Sequence, residues 1–200
     1  MGFFQGDGHL AKEQTERYQE YSLHFFEEHK EFLLYLNELI NTEFAIKGNI
    51  YEEHDAYGRW FRLRLCSKPI YLFFKEVLGL TSGKKVRNVK VPNLIRNSDR
   101  KFQLAFIKGF FDAEGGIGET TKNPWLEIGQ ASENKPSEIL VWIKEILDNE
   151  GVILSNPQKN SGKDFFRLRT SKRETIKRFY DVVSSEHQNK INRFENIIIK

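Results

Sequence analysis

The chain has 200 residues, 39% of them hydrophobic and 30% charged, with 17 Phe and 7 Tyr, an apolar stock that supports a packed core and excludes a disordered chain. The formal net charge of +3 is too small to indicate a nucleic-acid partner by itself. No run approaches the ~20 apolar residues needed to span a bilayer, and the Gly-rich start carrying Asp7 is unlike a signal peptide. The single cysteine, Cys66, cannot form an internal disulfide and fits a reducing compartment, so an intracellular, cytoplasmic protein with no membrane partner is expected.

In chain order, one series of elements is read twice. Gly2-Phe3-Phe4-Gln5-Gly6-Asp7-Gly8 reads as a short helix ending at an acid and a glycine. Two β-like stretches follow, the second over Arg17–Phe25, and apolar positions at helical spacing then predict a helix over Glu28–Asn41. Two more strands come next. In the second of them Phe61, Leu63 and Leu65 alternate with Trp60, Arg62 and Arg64, which puts an apolar face against helices and arginines on the other side. A helix over Ile70–Leu78 completes the set, and the polar stretch Gly83–Lys101, with Pro92 and Asn93, reads as a linker.

The second reading runs through Gly109-Phe110-Phe111-Asp112-Ala113-Glu114-Gly115, a strand over Trp125–Ala131 and a helix over Ser137–Asn149 closed by Gly151. A strand follows in which Phe166 and Leu168 alternate with Arg167 and Arg169, then a helix over Glu174–Val183. At a constant offset Gly2 falls on Gly109, Asp7 on Glu114, Leu33 on Leu140, Glu38 on Glu145 and Ile46 on Ile153. At offsets two or three residues shorter Phe61-Arg62-Leu63-Arg64 falls on Phe166-Arg167-Leu168-Arg169, Ser67-Lys68 on Ser171-Lys172 and Lys85 on Lys190. Net charge repeats as well, at −5, +6, −4 and +6 over successive fifty-residue quarters. Chance rarely supplies several matches in order. The expectation is an α+β protein of two αββαββ half-domains, residues 1–100 and 101–200, each with a basic side.

Gly2 and Gly6 lie four residues apart, as do Gly109 and Ala113, so each pair occupies one helix face and lets two backbones approach closely. Asp7 and Glu114 then fall in the last turn, at the negative end of the helix dipole, where a carboxylate costs about 0.3–1 kcal/mol. Gly8 and Gly115 are expected to stop each helix in the left-handed conformation. Two such acids brought together would repel, and a divalent cation would turn both into ligands; Mg2+ suits carboxylates completed by phosphate and water.

Phe106-Ile107-Lys108-Gly109-Phe110-Phe111-Asp112-Ala113-Glu114-Gly115-Gly116-Ile117 resembles the LAGLIDADG signature of homing endonucleases, and Gly2–Leu10 resembles its first copy in single-chain, two-motif members. The resemblance covers essentially the whole chain. It implies a monomer with pseudo-twofold symmetry, two antiparallel four-stranded saddle sheets straddling the major groove of double-stranded DNA, and cleavage of both strands across the minor groove with 3′ overhangs. It places the metal-binding acids on Asp7 and Glu114, with the carbonyls of Gly6 and Ala113 beside a Mg2+ or Mn2+ ion. The family's basic active-site residue falls on Lys85 and Lys190, with Lys84 as a near alternative. In the family the first helix begins about two turns ahead of where Met1 stands here. The extra methylene of Glu114 predicts unequal cutting rates for the two half-sites.

DNA contacts are expected from Arg62, Arg64, Arg167 and Arg169 on the strand faces, from Lys68 and Lys172, and from His24 and Gln130 as base readers ending the second strand of each half. The alternative function is an intron maturase acting on its own intron RNA, or a non-cleaving DNA-binding protein. His9, His24, His29, His54 and His187 with one cysteine show no zinc spacing. Gly79-Leu80-Thr81-Ser82-Gly83 has one residue too few between its glycines for a phosphate-binding loop, and Tyr35, Phe74, Trp142 and Phe179 read as core.

Overall fold

A computed structural model describes residues 1–15, 18–56, 58–80, 89–118 and 123–199. The chain separates into two compact units, Asp7–Lys85 and Met1–Gly6 together with Val86–Lys200. These bounds differ from an even division at residue 100. Helix α1 (Gly2–Asp7) contributes most of its length to the second unit, and Val89, Val91 and Ile95, in the stretch expected as linker, are buried in that unit's core.

In the Asp7–Lys85 unit, β1 (Gly8–Gln14) and β2 (Gln19–Glu27) precede α2 (Lys30–Phe44), and β3 (Asn49–Asp55) and β4 (Gly58–Cys66) follow it. The strands form an antiparallel sheet in the order β1-β2-β4-β3, with Phe25 opposite Leu63 and His24 opposite Arg64. Leu10, Leu23, Phe25, Phe61, Leu63 and Leu65 alternate onto one buried face, joined by Phe32 and Leu33 of α2. Helix α2 starts two residues later than the periodicity predicts, and just ahead of it the Glu27 carboxylate accepts the backbone N–H groups of Glu28 and His29. Tyr35, expected in the core, lies on the exposed side of α2. The last helix is also modified. α3 (Lys68–Leu72), capped by the Ser67 hydroxyl, passes into a π-helical turn over Phe73–Val77, where Phe74 is half-buried.

The second unit continues through α4 (Asn93–Arg96), α5 (Arg100–Glu114), β5 (Gly115–Gly118), β6 (Trp125–Ala131), α6 (Glu138–Asn149), β7 (Gln158–Lys159), β8 (Phe165–Thr170), α7 (Arg173–Val182) and α8 (Gln188–Ile199). Its antiparallel sheet has the order β5-β6-β8-β7, the same connectivity as the first. Gly151, at φ 75°, carries the chain out of α6 as expected. Trp142 and Phe179 are core residues. Helix α8 is an element that the sequence reading missed, although Ile191, Phe194 and Ile197 recur at helical spacing and the last two are buried.

Candidate active site and nucleic-acid face

The short helix α1 packs on α5 through the small residues read from the sequence. A Cβ on Gly2 would fall 1.9 Å from the Phe106 carbonyl oxygen, and one on Gly109 would fall 2.8 Å from the Phe3 nitrogen. A Cβ on Gly6 would lie 2.4 Å from the Ala113 Cβ and 2.9 Å from the Glu114 Cγ. Backbone therefore meets backbone along this contact, and the last turn of α1 runs beside Glu114.

Asp7 is the final residue of α1 and Glu114 the final residue of α5, both half-buried. The glycines after them do not take the left-handed conformation expected. Gly115 is extended at φ −89°, ψ 148°, and Gly8 is not among the positive-φ residues. Each helix runs straight into a strand. At Gly115 the requirement is space, since a Cβ there would lie 2.1 Å from the Phe111 ring. Each helix end offers a carboxylate and carbonyl oxygens, donors that suit a hard divalent cation such as Mg2+ or Mn2+ and not a thiolate- or imidazole-seeking one.

Lys190 does not project as a free basic group. Its ammonium donates to the carbonyls of Phe111 (2.6 Å), Asp112 (2.7 Å) and Gly115 (2.7 Å), as many acceptors as it has N–H donors. The reading of it as the basic active-site residue gives way to a cap on the α5 terminus, whose last carbonyls have no partner within the helix. Asp112, which sequence reasoning passed over, is 3% exposed. Its carboxylate accepts from the Ser185 hydroxyl (2.5 Å) and the Glu186 nitrogen (3.1 Å), and burial raises its pKa above the ordinary value. The residue matching it in the first copy is Gln5, also buried, whose amide donates to the Lys90 carbonyl at 2.6 Å. Lys84 and Lys85 lie outside the described residues.

The outward sheet faces carry the predicted arginines, each with a partner on the neighbouring strand. Arg62 pairs with Glu53 (2.6 Å) and stacks over Tyr51, and Arg64 pairs with Glu20. Arg167 pairs with Glu127 (3.1 Å), and Arg169 lies over the Trp125 ring at 5.5 Å. Sequence reading found the arginines through their alternation but not these partners, because cross-strand neighbours depend on register. In the second unit the rings of Trp125 and Phe165 take the place of side chains. A Cβ on Gly116 or Gly118 would meet Trp125 at 3.0 and 1.9 Å, and one on Gly129 would meet Phe165 at 2.1 Å. Lys68 opens α3 with its ammonium 5.4 Å from the centre of the Tyr21 ring, and Lys172 caps α7 at an exposed position.

Neither expected base reader stands at the end of a strand on the arginine face. His24 is in the middle of β2 on that face but 6% exposed, beneath His9 and Phe26 and 3.0 Å from the Ser22 hydroxyl. Gln130 is opposite Phe166 and so shares the buried, helix-facing side of its sheet. A one-residue change of strand register reverses a side chain's face, and the strand ends could not be fixed that finely from the sequence.

Burial, with Arg62, His9 and Arg64 nearby, lowers the His24 pKa from 6.5 to about 4. An unfolded histidine takes its proton near pH 6.5 and the folded one only near pH 4, so the unfolded state binds the extra proton between these values. Stability is therefore expected to fall as pH drops through that window, by roughly 3 kcal/mol at most. Urea unfolding at pH 7 and pH 5 measures the loss; His24→Gln should reduce it, and an equal loss in that variant would assign it to other groups.

A family model described as a LAGLIDADG-like domain matches residues 1–79 and 101–184. The homing endonuclease I-ApeI of Aeropyrum pernix is 23% identical over 169 residues, covering 82% of this chain and 73% of that protein. A glutamine–fructose-6-phosphate aminotransferase of Methanocaldococcus jannaschii is 25% identical over 207 residues, which is 100% of this chain but only 17% of that protein. Among solved structures, I-DmoI in complex with DNA and Mn superimposes with a TM-score of 0.64 at 26% identity, covering 93% of this chain and 94% of that one. A variant of I-DmoI bound to its target DNA in the presence of Mg gives 0.65 at 25% identity.

Proposed function

Because the chain belongs to the LAGLIDADG-like domain family, we propose that it is a site-specific homing endonuclease, a divalent-metal-dependent enzyme that cuts both strands of a double-stranded DNA target and leaves 3′ overhangs. The observation that carries this reading is the pair of acids, Asp7 and Glu114, each ending a helix whose small residues meet the other helix at backbone distance. A protein that only bound DNA would have no use for carboxylates facing an anionic ligand. The similarity to I-DmoI, solved with DNA and Mn, supports the same chemistry.

Asp7 and Glu114, with the carbonyl oxygens of Gly6 and Ala113, are assigned to hold Mg2+ or Mn2+. A divalent ion held there would supply Lewis-acid activation of water and charge compensation for phosphodiester displacement. The protein's part is to orient the acids through the α1–α5 contact and to hold the duplex on the arginine faces. With Lys190 committed to carbonyls, Lys85 is assigned the role of the basic side chain that offsets phosphate charge. The enzyme acts as a monomer on DNA inside the cell. Incubation with Mg2+ and a randomised duplex library, followed by sequencing of cut ends, is expected to return one preferred site with staggered ends. Recovery of bound but uncut duplexes would instead identify a binding protein.

Duplex affinity is expected to fall with salt. If Arg62, Arg64, Arg167 and Arg169 each contact a phosphate, replacing all four with alanine should reduce the slope of log affinity against log salt by about 3.6, at about 0.9 per contact. Fluorescence anisotropy from 50 to 200 mM salt (roughly the range over which phosphate contacts dominate) measures it. An unchanged slope would remove the strand faces as the docking surface.

A further inference from the structure

We propose that Lys190 is a positioning residue: with Asp112 it fixes the C-terminal end of α5, and through it the backbone that carries Glu114. The inference rests on the endonuclease reading above. Lys190 grips the carbonyls of Asp112 and Gly115, the residues immediately before and after the Ala113–Glu114 pair assigned to the metal. The clasp therefore brackets the two candidate ligand residues in the chain.

Further contacts converge on this corner. The Asp112 carboxylate is held by the Ser185 hydroxyl and the Glu186 nitrogen, and the Ser185 oxygen accepts in turn from the His187 nitrogen at 3.1 Å. The Phe111 ring lies 4.9 Å from the Lys190 ammonium and packs on Phe179 (4.8 Å) and Phe194 (5.8 Å). Ser184, at φ 63°, takes a left-handed conformation that a non-glycine residue adopts at some cost, and it turns the chain so that the next residues meet Asp112. The α7–α8 corner thus meets the end of α5 through an aromatic contact, a carboxylate and an ammonium. A ligand carboxylate is only as well placed as the backbone beneath it. Residues 185–199, which supply Ser185 and Lys190, lie beyond the second segment matched by the family model.

The test is Mn2+ binding to the full chain without DNA, followed by the electron paramagnetic resonance signal of free Mn2+. Lys190→Met should weaken by about 10-fold or more the Mn2+ binding that Glu114→Gln removes. Lys190→Arg should recover only part of it, because a planar guanidinium cannot aim at three convergent carbonyls as an ammonium does. Ser185→Ala, a smaller change that retains Lys190, should weaken binding less, and it carries the test if the Lys190→Met protein does not fold. Mn2+ affinity unchanged in folded Lys190→Met, with only a lower melting temperature, would overturn the proposal. If Glu114→Gln itself leaves Mn2+ binding intact, the endonuclease reading of Glu114 fails instead.

Discussion

Asp7→Asn combined with Glu114→Gln is expected to abolish cleavage of a selected duplex while leaving its binding within a few-fold of the unchanged protein. Each substitution keeps the shape of the side chain and removes a charge at the end of a helix, so the α1–α5 contact, made by Gly2, Gly6, Gly109 and Ala113, is not disturbed. What is lost is the anionic oxygen that a divalent ion requires. Mutation of metal-holding groups acts on a term worth several kcal/mol of transition-state stabilisation, and each 1.36 kcal/mol is about tenfold in rate, so a loss of at least 1,000-fold is expected. Plasmid nicking and linearisation, run beside a gel-shift titration, separate the two effects. Full nicking by the double variant would falsify the assignment of the acids. The single variants are informative as well: one extra methylene distinguishes Glu114 from Asp7, so removing one acid at a time should leave different residual nicking on the two strands.

Gly2→Ala is expected to be among the most destabilising single substitutions in the second unit. The new Cβ would sit 1.9 Å from the Phe106 carbonyl oxygen, 2.7 Å from the Phe110 nitrogen and 2.9 Å from the Phe106 carbonyl carbon. All three are backbone atoms, so no rotamer change relieves the clash and α1 must move off α5. Overpacking of this kind costs about 3 kcal/mol, which for a chain of this size lowers the melting temperature by roughly 6–12 °C. Gly109→Ala should cost less. Its nearest atom, the Phe3 nitrogen, is at 2.8 Å, and alanine in mid-helix regains about 1 kcal/mol of helix propensity. Differential scanning calorimetry ranks the two. A Gly2→Ala protein that melts with the unchanged protein would mean that the helices do not pack through that face.

The duplication, the strand alternation and the two acids were legible because each is a short-range pattern: a constant offset, a period of two and a helix end. The small residues were also legible, since their four-residue spacing requires one face. What could not be read follows from contacts distant in sequence. Lys190 meets carbonyls some 75–79 residues away, and no local pattern distinguishes a lysine that caps a distant helix from one that faces a phosphate. The partners of Asp112, Ser185 and Glu186, lie more than 70 residues further along the chain. Gln130 lies on the buried face opposite Phe166, and His24, although on the arginine face, is covered in mid-strand because β2 runs on to Glu27. The bounds of the compact units were obscured because Val89, Val91 and Ile95 sit among polar residues, where three apolar side chains are too few to signal that the segment belongs to a core.

The aromatic rings lying over glycines in the second sheet bear on how its recognition could be altered. Trp125 and Phe165 occupy the space above Gly116, Gly118 and Gly129, so three strand positions have no side chain of their own and two bulky neighbours roof them. A residue installed at Gly118 or Gly129 would first have to evict a ring, one at Gly116 would press Trp125 aside, and moving Trp125 would also unseat Arg169. Variation in sequence preference on that half is therefore expected to come in blocks, with ring, glycine and arginine changing together, whereas the first sheet, whose corresponding face carries individual side chains, should tolerate replacement one position at a time.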